Sequence, residues 1–209
     1  MFYLITDQDN KSWRDVQWGE NISHDEENFN YHFAVYHGPQ TASYMYPCYE
    51  GIKEPKLWLA AGRGLSMNEG LRSYYSQLTT TKEFAITWPT TEQRITFGIL
   101  CAMNLVMHPE FREWGKKYLK GDDQTKESAH SLNEKLLKEM GTEVTRDRQY
   151  VACCHAVLSS VLLQDPALFA ANAGHRAYHD SLELTQALNL EQTAQIVNML
   201  APGDIAGIL

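Results

Sequence analysis

The stretch TWPTTEQRITFGILCAMNL, residues 87–105, separates two parts of this chain that differ in sequence pattern. Thr90 and Gln93 form a Thr-x-x-Gln capping box, in which each side chain binds the backbone N–H of the other residue at the start of a helix. Ile95 and Ile99 then lie on one helical face, four positions apart. The pattern predicts that a helix begins at Thr90.

The sequence downstream of this point is typical of further helices. Prolines and N-capping residues mark the predicted starts, and glycines and prolines mark the predicted ends. About six helices with short connections are expected, which implies an antiparallel array. They begin near Thr90, Pro109, Asp122 or Asp123, Thr145, Pro166 and Asn189, and the last three run to about Leu163, Leu188 and Ala201.

The sequence before residue 89 has short runs that are rich in aromatic and β-branched residues and are bounded by Gly, Pro, Asn or Asp. Pro39 suits the first turn of a helix and Pro47 would end it, so a short helix is predicted between two strands. The predicted strands are residues 2–6, 31–36, 56–60 and 83–88, with a shorter one at 16–18.

These patterns predict an α+β protein. A small mixed sheet unit in residues 1–88 is expected to pack on a helical domain formed by residues 89–209. The chain has 209 residues, of which 44% are hydrophobic and 21% charged, so it has enough apolar sequence for a buried core.

The charge of the chain excludes some partners. Its formal net charge is −8, which argues against nucleic-acid binding by bulk charge and against an anionic membrane surface. The N-terminal stretch has no basic region, no apolar run is long enough to span a membrane, and the four cysteines are unevenly spaced. We therefore expect reduced thiols, no membrane association and a cytoplasmic location.

Acidic and aromatic residues are concentrated near the N-terminus. Seven acids and two bases lie between residues 7 and 27. One interpretation is a solvated loop beside aromatic core residues. The other is a surface that binds a basic protein partner, with aromatic side chains as its strongest contacts. The candidate partner-binding residues are Asp25, Glu26, Glu27, Trp13, Trp18, Tyr44 and Tyr46.

Two weaker candidate sites stand apart from this region. Gly62, Arg63 and Gly64 could present backbone N–H groups and a guanidinium to a phosphate, although a simple turn has the same pattern. His175 and His179 lie four residues apart on a predicted helix and could share a metal ion with Cys154. Cys154 could equally be a small buried hydrophobic residue.

Three stretches of the chain resemble an uncharacterised family of tailed-phage accessory proteins. They are residues 44–47 with 55–64, which include KLWLAAGRG, residues 90–102, TTEQRITFGILCA, and residues 118–123, YLKGDD. The resemblance implies an accessory protein that acts in the cytoplasm of an infected bacterium. It supplies no catalytic residues, because none are known for the family.

Our leading hypothesis from the sequence is a phage-encoded interaction protein, without a cofactor, that binds and modulates or inhibits a host bacterial protein. Interference with a host defence is one form of this role. The first alternative is an enzyme or binder that acts on a nucleotide or nucleic acid through a cleft near Arg63. The second is a structural module that self-associates into a homo-oligomer. No complete catalytic set is recognisable, so an enzyme is the less favoured class.

Overall fold

The computed structural model of the protein describes residues 1–28, 30, 32–48, 52–105, 108–140, 148–162, 164–183 and 188–200. The chain divides into two compact units, Met1–Trp88 and Pro89–Leu209. The first contains all the described strands, one α-helix and short 3₁₀ turns, and the second contains helices alone in its described part. The predicted α+β class is confirmed.

The first unit is an antiparallel sheet that closes on itself. Its strands are β1 (Phe2–Thr6), β4 (Ser23–Asp25), β5 (Phe33–Tyr36), β6 (Lys56–Asn68) and β7 (Arg72–Glu83), whereas β2 (Lys11–Ser12) and β3 (Val16–Gln17) form a separate two-stranded sheet. β1 pairs with β5 and β6, and β7 pairs with β5, β6 and β4. β1, β6, β7 and β5 therefore form a ring of four strands. Every pairing is antiparallel, whereas the sequence led us to expect a mixed sheet.

The long hairpin of β6 and β7 supplies half of this ring. Gly64, in the middle of β6, has a φ of 65°, a left-handed conformation that glycine adopts without strain. A Cβ atom there would lie 2.2 Å from the hydroxyl oxygen of Ser76, which could rotate away, so the backbone conformation is the main reason for glycine. The β6–β7 register shifts between Leu65 and Met67, just after this residue. Such irregularities bend a strand and increase its twist, as closure of a small ring requires.

A core fills the inside of the ring. Its buried members are Leu4, Trp18, Val35, Trp58, Ala60, Tyr75 and Leu78. On the opposite face of the sheet, helix α1 (Pro39–Met45) packs against β1 and β5. The predicted strand–helix–strand order of β5, α1 and β6 is confirmed.

The second unit contains α2 (Thr91–Leu105), α3 (Pro109–Lys120), α4 (Lys126–Glu139), α5 (Arg148–Val161), α6 (Pro166–Glu183) and α7 (Leu190–Met199). α2 packs on α5 and α6, and α4 packs on α5. α2 and α6 lie very close together at Gly98. A Cβ atom on this residue would be only 3.0 Å from the Cα of Ala170. No helix in the described part of the chain is long and apolar enough to cross a membrane.

Three of the predicted helix caps are present, but the N-cap of α4 is Thr125 and not Asp122 or Asp123. Thr90 Oγ1 accepts a hydrogen bond from the Gln93 N–H (3.2 Å), and the Thr90 N–H donates to Gln93 Oε1 (2.9 Å). Asn189 Oδ1 accepts from the Gln192 N–H at 3.0 Å. Gly121 ends α3 in the left-handed conformation, as predicted for a C-cap.

The predicted strand at residues 83–88 is wrong beyond Glu83. Glu83 pairs with Trp58, and the Phe84 N–H still donates to the Leu57 carbonyl at 2.7 Å. β7 runs antiparallel to β6 and reaches the first residues of β6 at Glu83. Because β6 begins at Lys56, residues 84–90 have no further partner strand beside them and continue without strand pairing. The sequence also missed most of β7. Tyr31, Thr145, Leu163 and Ala201, at the ends of predicted elements, lie outside the described residues.

Candidate partner-binding site

The ring of strands is split along one side. β1 and β5 share a single pair in register, Tyr3 with Tyr36. Continued antiparallel pairing would place Leu4 opposite Val35 and Ile5 opposite Ala34. The two strands part at this point, and we call the opening between them the seam.

A cavity of about 570 Å³ lies at the seam. Leu4 and Ile5 of β1 both line it, as do Phe33 and Ala34 of β5. Successive residues of a strand point to opposite faces of a sheet, so the cavity must reach around the strand edges from one face to the other. Its volume is in the range of ordinary ligand-binding sites.

A tight turn forms one wall of the cavity. Trp13, Arg14 and Asp15 form a single 3₁₀ turn between β2 and β3, and both Arg14 and Asp15 have left-handed φ angles, 72° and 60°. Such a conformation costs non-glycine residues about 1–2 kcal/mol each. It places the Arg14 guanidinium 4.0 Å from the centre of the Trp13 ring, while Arg14 Nη2 donates to the Asn30 carbonyl at 3.3 Å. Trp13 nevertheless remains 61% exposed.

Acidic residues lie on another part of the wall. Asp25 is the last residue of β4 and is held by Gln77, whose Nε2 donates to Asp25 Oδ2 at 3.0 Å. The Glu26 N–H donates to the Ser76 carbonyl, and Glu26 Oε1 accepts from the Asn28 N–H at 2.9 Å. Both carboxylates line the cavity and each keeps one oxygen outside these bonds. This part of the wall is therefore suited to a cation.

The hairpin end contributes an arginine whose charge is already balanced. Arg72 Nη2 lies 3.5 Å from Glu69 Oε2, and the Arg72 side chain is only 12% exposed. The Tyr74 hydroxyl donates to the same carboxylate oxygen at 2.9 Å and is hydrogen-bonded to Arg72. Glu69 offsets Arg72, and Asp25 with Glu26 outnumber Arg14, the other cation on the described part of the cavity wall. The remaining excess of one negative charge makes the cavity better suited to a positive than to a negative ligand.

Trp18 supports the site from beneath. Its side chain is 1% exposed, and its indole N–H donates to the Ser12 hydroxyl at 2.7 Å. The His24 ring packs edge-on against it, with ring centres 4.7 Å apart, and His24 Nε2 donates to the Gln17 carbonyl at 2.7 Å. This packing fixes the β2–β3 turn and β4, and with them the two walls described above.

The structure brings together part of the predicted partner-binding set. Trp13, Asp25 and Glu26 line the cavity, and Glu27 is exposed beside them in sequence. Trp18 and Tyr44 are each 1% exposed, so they belong to the interior. Tyr46 is half-buried and packs edge-on against Trp88, with ring centres 5.5 Å apart.

Gly62, Arg63 and Gly64 lie within β6 and not in a turn. Gly62 lies under the ring of Tyr75, and Gly64 provides the bend described above. Arg63 is exposed opposite Gln77 and does not line the cavity. The two glycines thus have local structural roles, and the arginine that reaches the cavity from this hairpin is Arg72.

Two of the three proposed metal ligands lie side by side. The rings of His175 and His179 on α6 are 4.4 Å apart. Cys154 is 4% exposed on α5, and burial raises the pKa of its thiol to about 11. Within the described ranges, no group of three or more His, Cys, Asp or Glu residues is arranged to hold a metal ion.

The sequence did not single out Arg72, Tyr74 or His32, although all three line the cavity. The signal available for the first two was the Asn68–Gly70 stretch, because Asn and Gly two residues apart between β-like runs favour a hairpin turn. Comparison of the chain with family models, with characterised proteins and with solved structures found no match.

Proposed function

We propose that this protein is a non-enzymatic binding protein and that its sheet unit binds a basic protein partner at the seam cavity. The observation that carries the proposal is the combination, in one ligand-sized opening, of the exposed Trp13 and the carboxylates of Asp25 and Glu26. Exposed tryptophans beside desolvated pockets are frequent energetic centres of protein interfaces.

Charge supports a basic partner. The residues from 7 to 27 carry seven acids and two bases, so the acidic wall lies within an acidic segment. Complementary charge speeds association and selects against partners of the wrong sign. The resemblance to tailed-phage accessory proteins suggests where the partner is found. We therefore place it among host bacterial proteins, and modulation or inhibition of that protein is the proposed outcome.

The test is capture of bacterial proteins by the immobilised full-length chain. The double variant Asp25→Asn/Glu26→Gln keeps acceptor oxygens for the Gln77 and Asn28 bonds but removes two charges. It should retain roughly three- to tenfold less of a stoichiometric partner. Its matched control, Glu127→Gln/Glu134→Gln, removes two exposed charges from α4 and should bind like the wild type.

A second pair of variants tests the aromatic contact. Trp13→Ala should weaken capture by tenfold or more, since truncation of a tryptophan at an interface centre commonly costs about 2 kcal/mol. Leu137→Ala removes a hydrophobic side chain of α4 that is 49% exposed and should have no effect. The proposal is wrong if the wild type captures no stoichiometric protein, or if the control variants lose as much binding as the cavity variants.

A further inference from the structure

The edge of β5 that faces the seam is the part of the sheet best placed to accept another strand. β5 pairs with β7 through all four of its residues, Phe33 to Tyr36. On its other side only Tyr36 pairs with β1. Phe33 and Ala34 line the cavity on that side, and the small side chain of Ala34 leaves space beside the strand.

The dimensions of the opening suit a short extended segment. Phe33 to Val35 span about 10 Å at roughly 3.3 Å per residue, enough to pair with three residues of an added strand. Extended peptides bind proteins in this way by adding main-chain hydrogen bonds to an exposed sheet edge, while pockets beside the strand select their side chains.

The charges beside this edge select a basic segment. Asp25 and Glu26 line the cavity close to Phe33, because the Glu26 N–H bonds to Ser76 and Tyr75 pairs with Phe33. Arg14 of the chain itself already lies over the Trp13 ring, 4.0 Å from its centre, so the two carboxylates are the main contacts left for a second cation. A cationic side chain that enters with an extended segment would meet the carboxylates of Asp25 and Glu26.

We propose that the partner enters the seam as an extended segment that pairs with the free-facing edge of β5 and carries a lysine or arginine to Asp25 and Glu26. This inference rests on the proposed function and specifies its binding mode. The occupant is a peptide segment of a protein, recognised jointly through its backbone and its positive charge.

The test uses amide hydrogen exchange of the full-length chain with pools of capped hexapeptides. One pool has arginine at a central position and a mixture of Val, Thr, Ser and Tyr elsewhere, and a second pool has glutamate in place of arginine. The arginine pool at millimolar concentration should slow exchange at those amides between Phe33 and Val35 that point towards the seam, and the glutamate pool should not. Absence of slowing with the arginine pool overturns the proposal.

Two controls separate strand addition from binding by side chains alone. An arginine pool with N-methylated backbone lacks the donors for strand pairing and should bind about tenfold more weakly. Equal binding of that pool contradicts strand addition. Ala34→Phe should fill the opening and abolish the effect, whereas Ala61→Phe, on an exposed position of β6, should not, with circular dichroism showing that both variants fold.

The binding mode and the proposed function can fail separately. If partner capture depends on Trp13, Asp25 and Glu26 while exchange at Phe33 to Val35 is unchanged by both the partner and the arginine pool, the protein is a binding protein that does not use strand addition. If neither effect is seen, both proposals are wrong.

Discussion

Substitution of Gly62 by alanine should destabilise the sheet unit, because the ring of Tyr75 occupies the space where a side chain would be. A Cβ atom built on Gly62 would lie 2.4, 2.5 and 2.6 Å from three carbons of that ring. Tyr75 is 8% exposed and belongs to the core inside the ring of strands, where it packs against Phe2 with ring centres 5.1 Å apart. The ring therefore cannot swing into solvent without leaving the core.

The size of the effect follows from the distances. Ordinary contacts begin near 3.4 Å, so the Tyr75 ring must move by about 1 Å. Overpacking of this kind costs about 1–3 kcal/mol. Replacement of glycine by alanine in a compatible strand conformation stabilises a protein by about 0.4–1 kcal/mol, because alanine reduces the conformational entropy of the unfolded chain. We expect a net loss of about 1–2 kcal/mol in the free energy of unfolding.

Urea unfolding followed by tryptophan fluorescence measures this loss, since all tryptophans except Trp114 lie in the sheet unit. A second variant, Tyr75→Leu, removes the colliding ring. In the double variant, Gly62→Ala should cost at least about 1 kcal/mol less than it does alone. Unchanged or increased stability of Gly62→Ala, or additive losses in the double variant, would refute the argument that Tyr75 requires a glycine there.

Three further predictions concern single groups. Thr90→Ala removes the side-chain oxygen that caps α2 and should lower the free energy of unfolding by about 1 kcal/mol, measured by thermal or urea unfolding. Thr90→Ser keeps a capping oxygen and should retain most of the wild-type stability. Hydrogen bonds from Thr125 lower the pKa of the Asp123 carboxyl below its usual 3.8. The Asp123 carboxylate therefore stabilises the fold fully above pH 3.8, and this stabilisation is lost as the pH falls through the lower pKa of the folded state. An NMR titration of the Asp123 carboxyl should show that lowered midpoint, and Asp123→Asn should flatten the acid limb of stability; a midpoint at or above 3.8 contradicts the geometry. At pH 8 a thiol reagent should modify the half-buried Cys48 before Cys154, whose pKa of about 11 leaves little thiolate, and equal rates in the native protein would contradict the observed burial.

The helical half was largely predictable from the sequence because its signals are local. A capping box at Thr90, a proline at the start of α3 and a glycine at position 121 each act within one helical turn. Such features specify where a helix begins or ends without reference to the rest of the fold. The described ends of α2, α3 and α7 accordingly match the prediction closely.

The β6–β7 hairpin was only partly predictable because its signals come from distant residues. β7 reads RSYYSQLTTTKE and has many Ser, Thr and Gln side chains, which do not mark a strand by hydrophobicity. The following residues, 84–88, are more aromatic and look more strand-like, yet their partner strand has ended. The preference of a residue for a strand depends more on packing against neighbouring strands than on the residue type. The position where β7 ends is therefore decided by its pairing with β6, which begins at Lys56.

The region of the candidate site was predictable from the sequence, but the full set of side chains that line it was not. Local crowding of acids and aromatics indicated Trp13, Asp25 and Glu26, which do line the cavity. The sequence could not rank Arg72 above Arg63, since each adjoins an apolar or aromatic run, Arg63 after residues 57–61 and Arg72 before Tyr74 and Tyr75. The difference arises from which face of the hairpin each side chain occupies, and the shift in register beyond Gly64 sets that face.

The order of strands along the chain has a consequence for biosynthesis. β4 and β5 both pair with β7, and β1 pairs along its length with β6, so the early strands depend on partners that are made later. A ribosome that adds about 5–20 residues per second needs several seconds to pass from Tyr36 to Glu83. During that interval the apolar faces of β1 and β5 lack the neighbours that cover them in the finished ring. The nascent N-terminus therefore relies on rapid completion of one hairpin, and codons or mutations that delay translation between residues 56 and 83 would lengthen its exposure to misfolding.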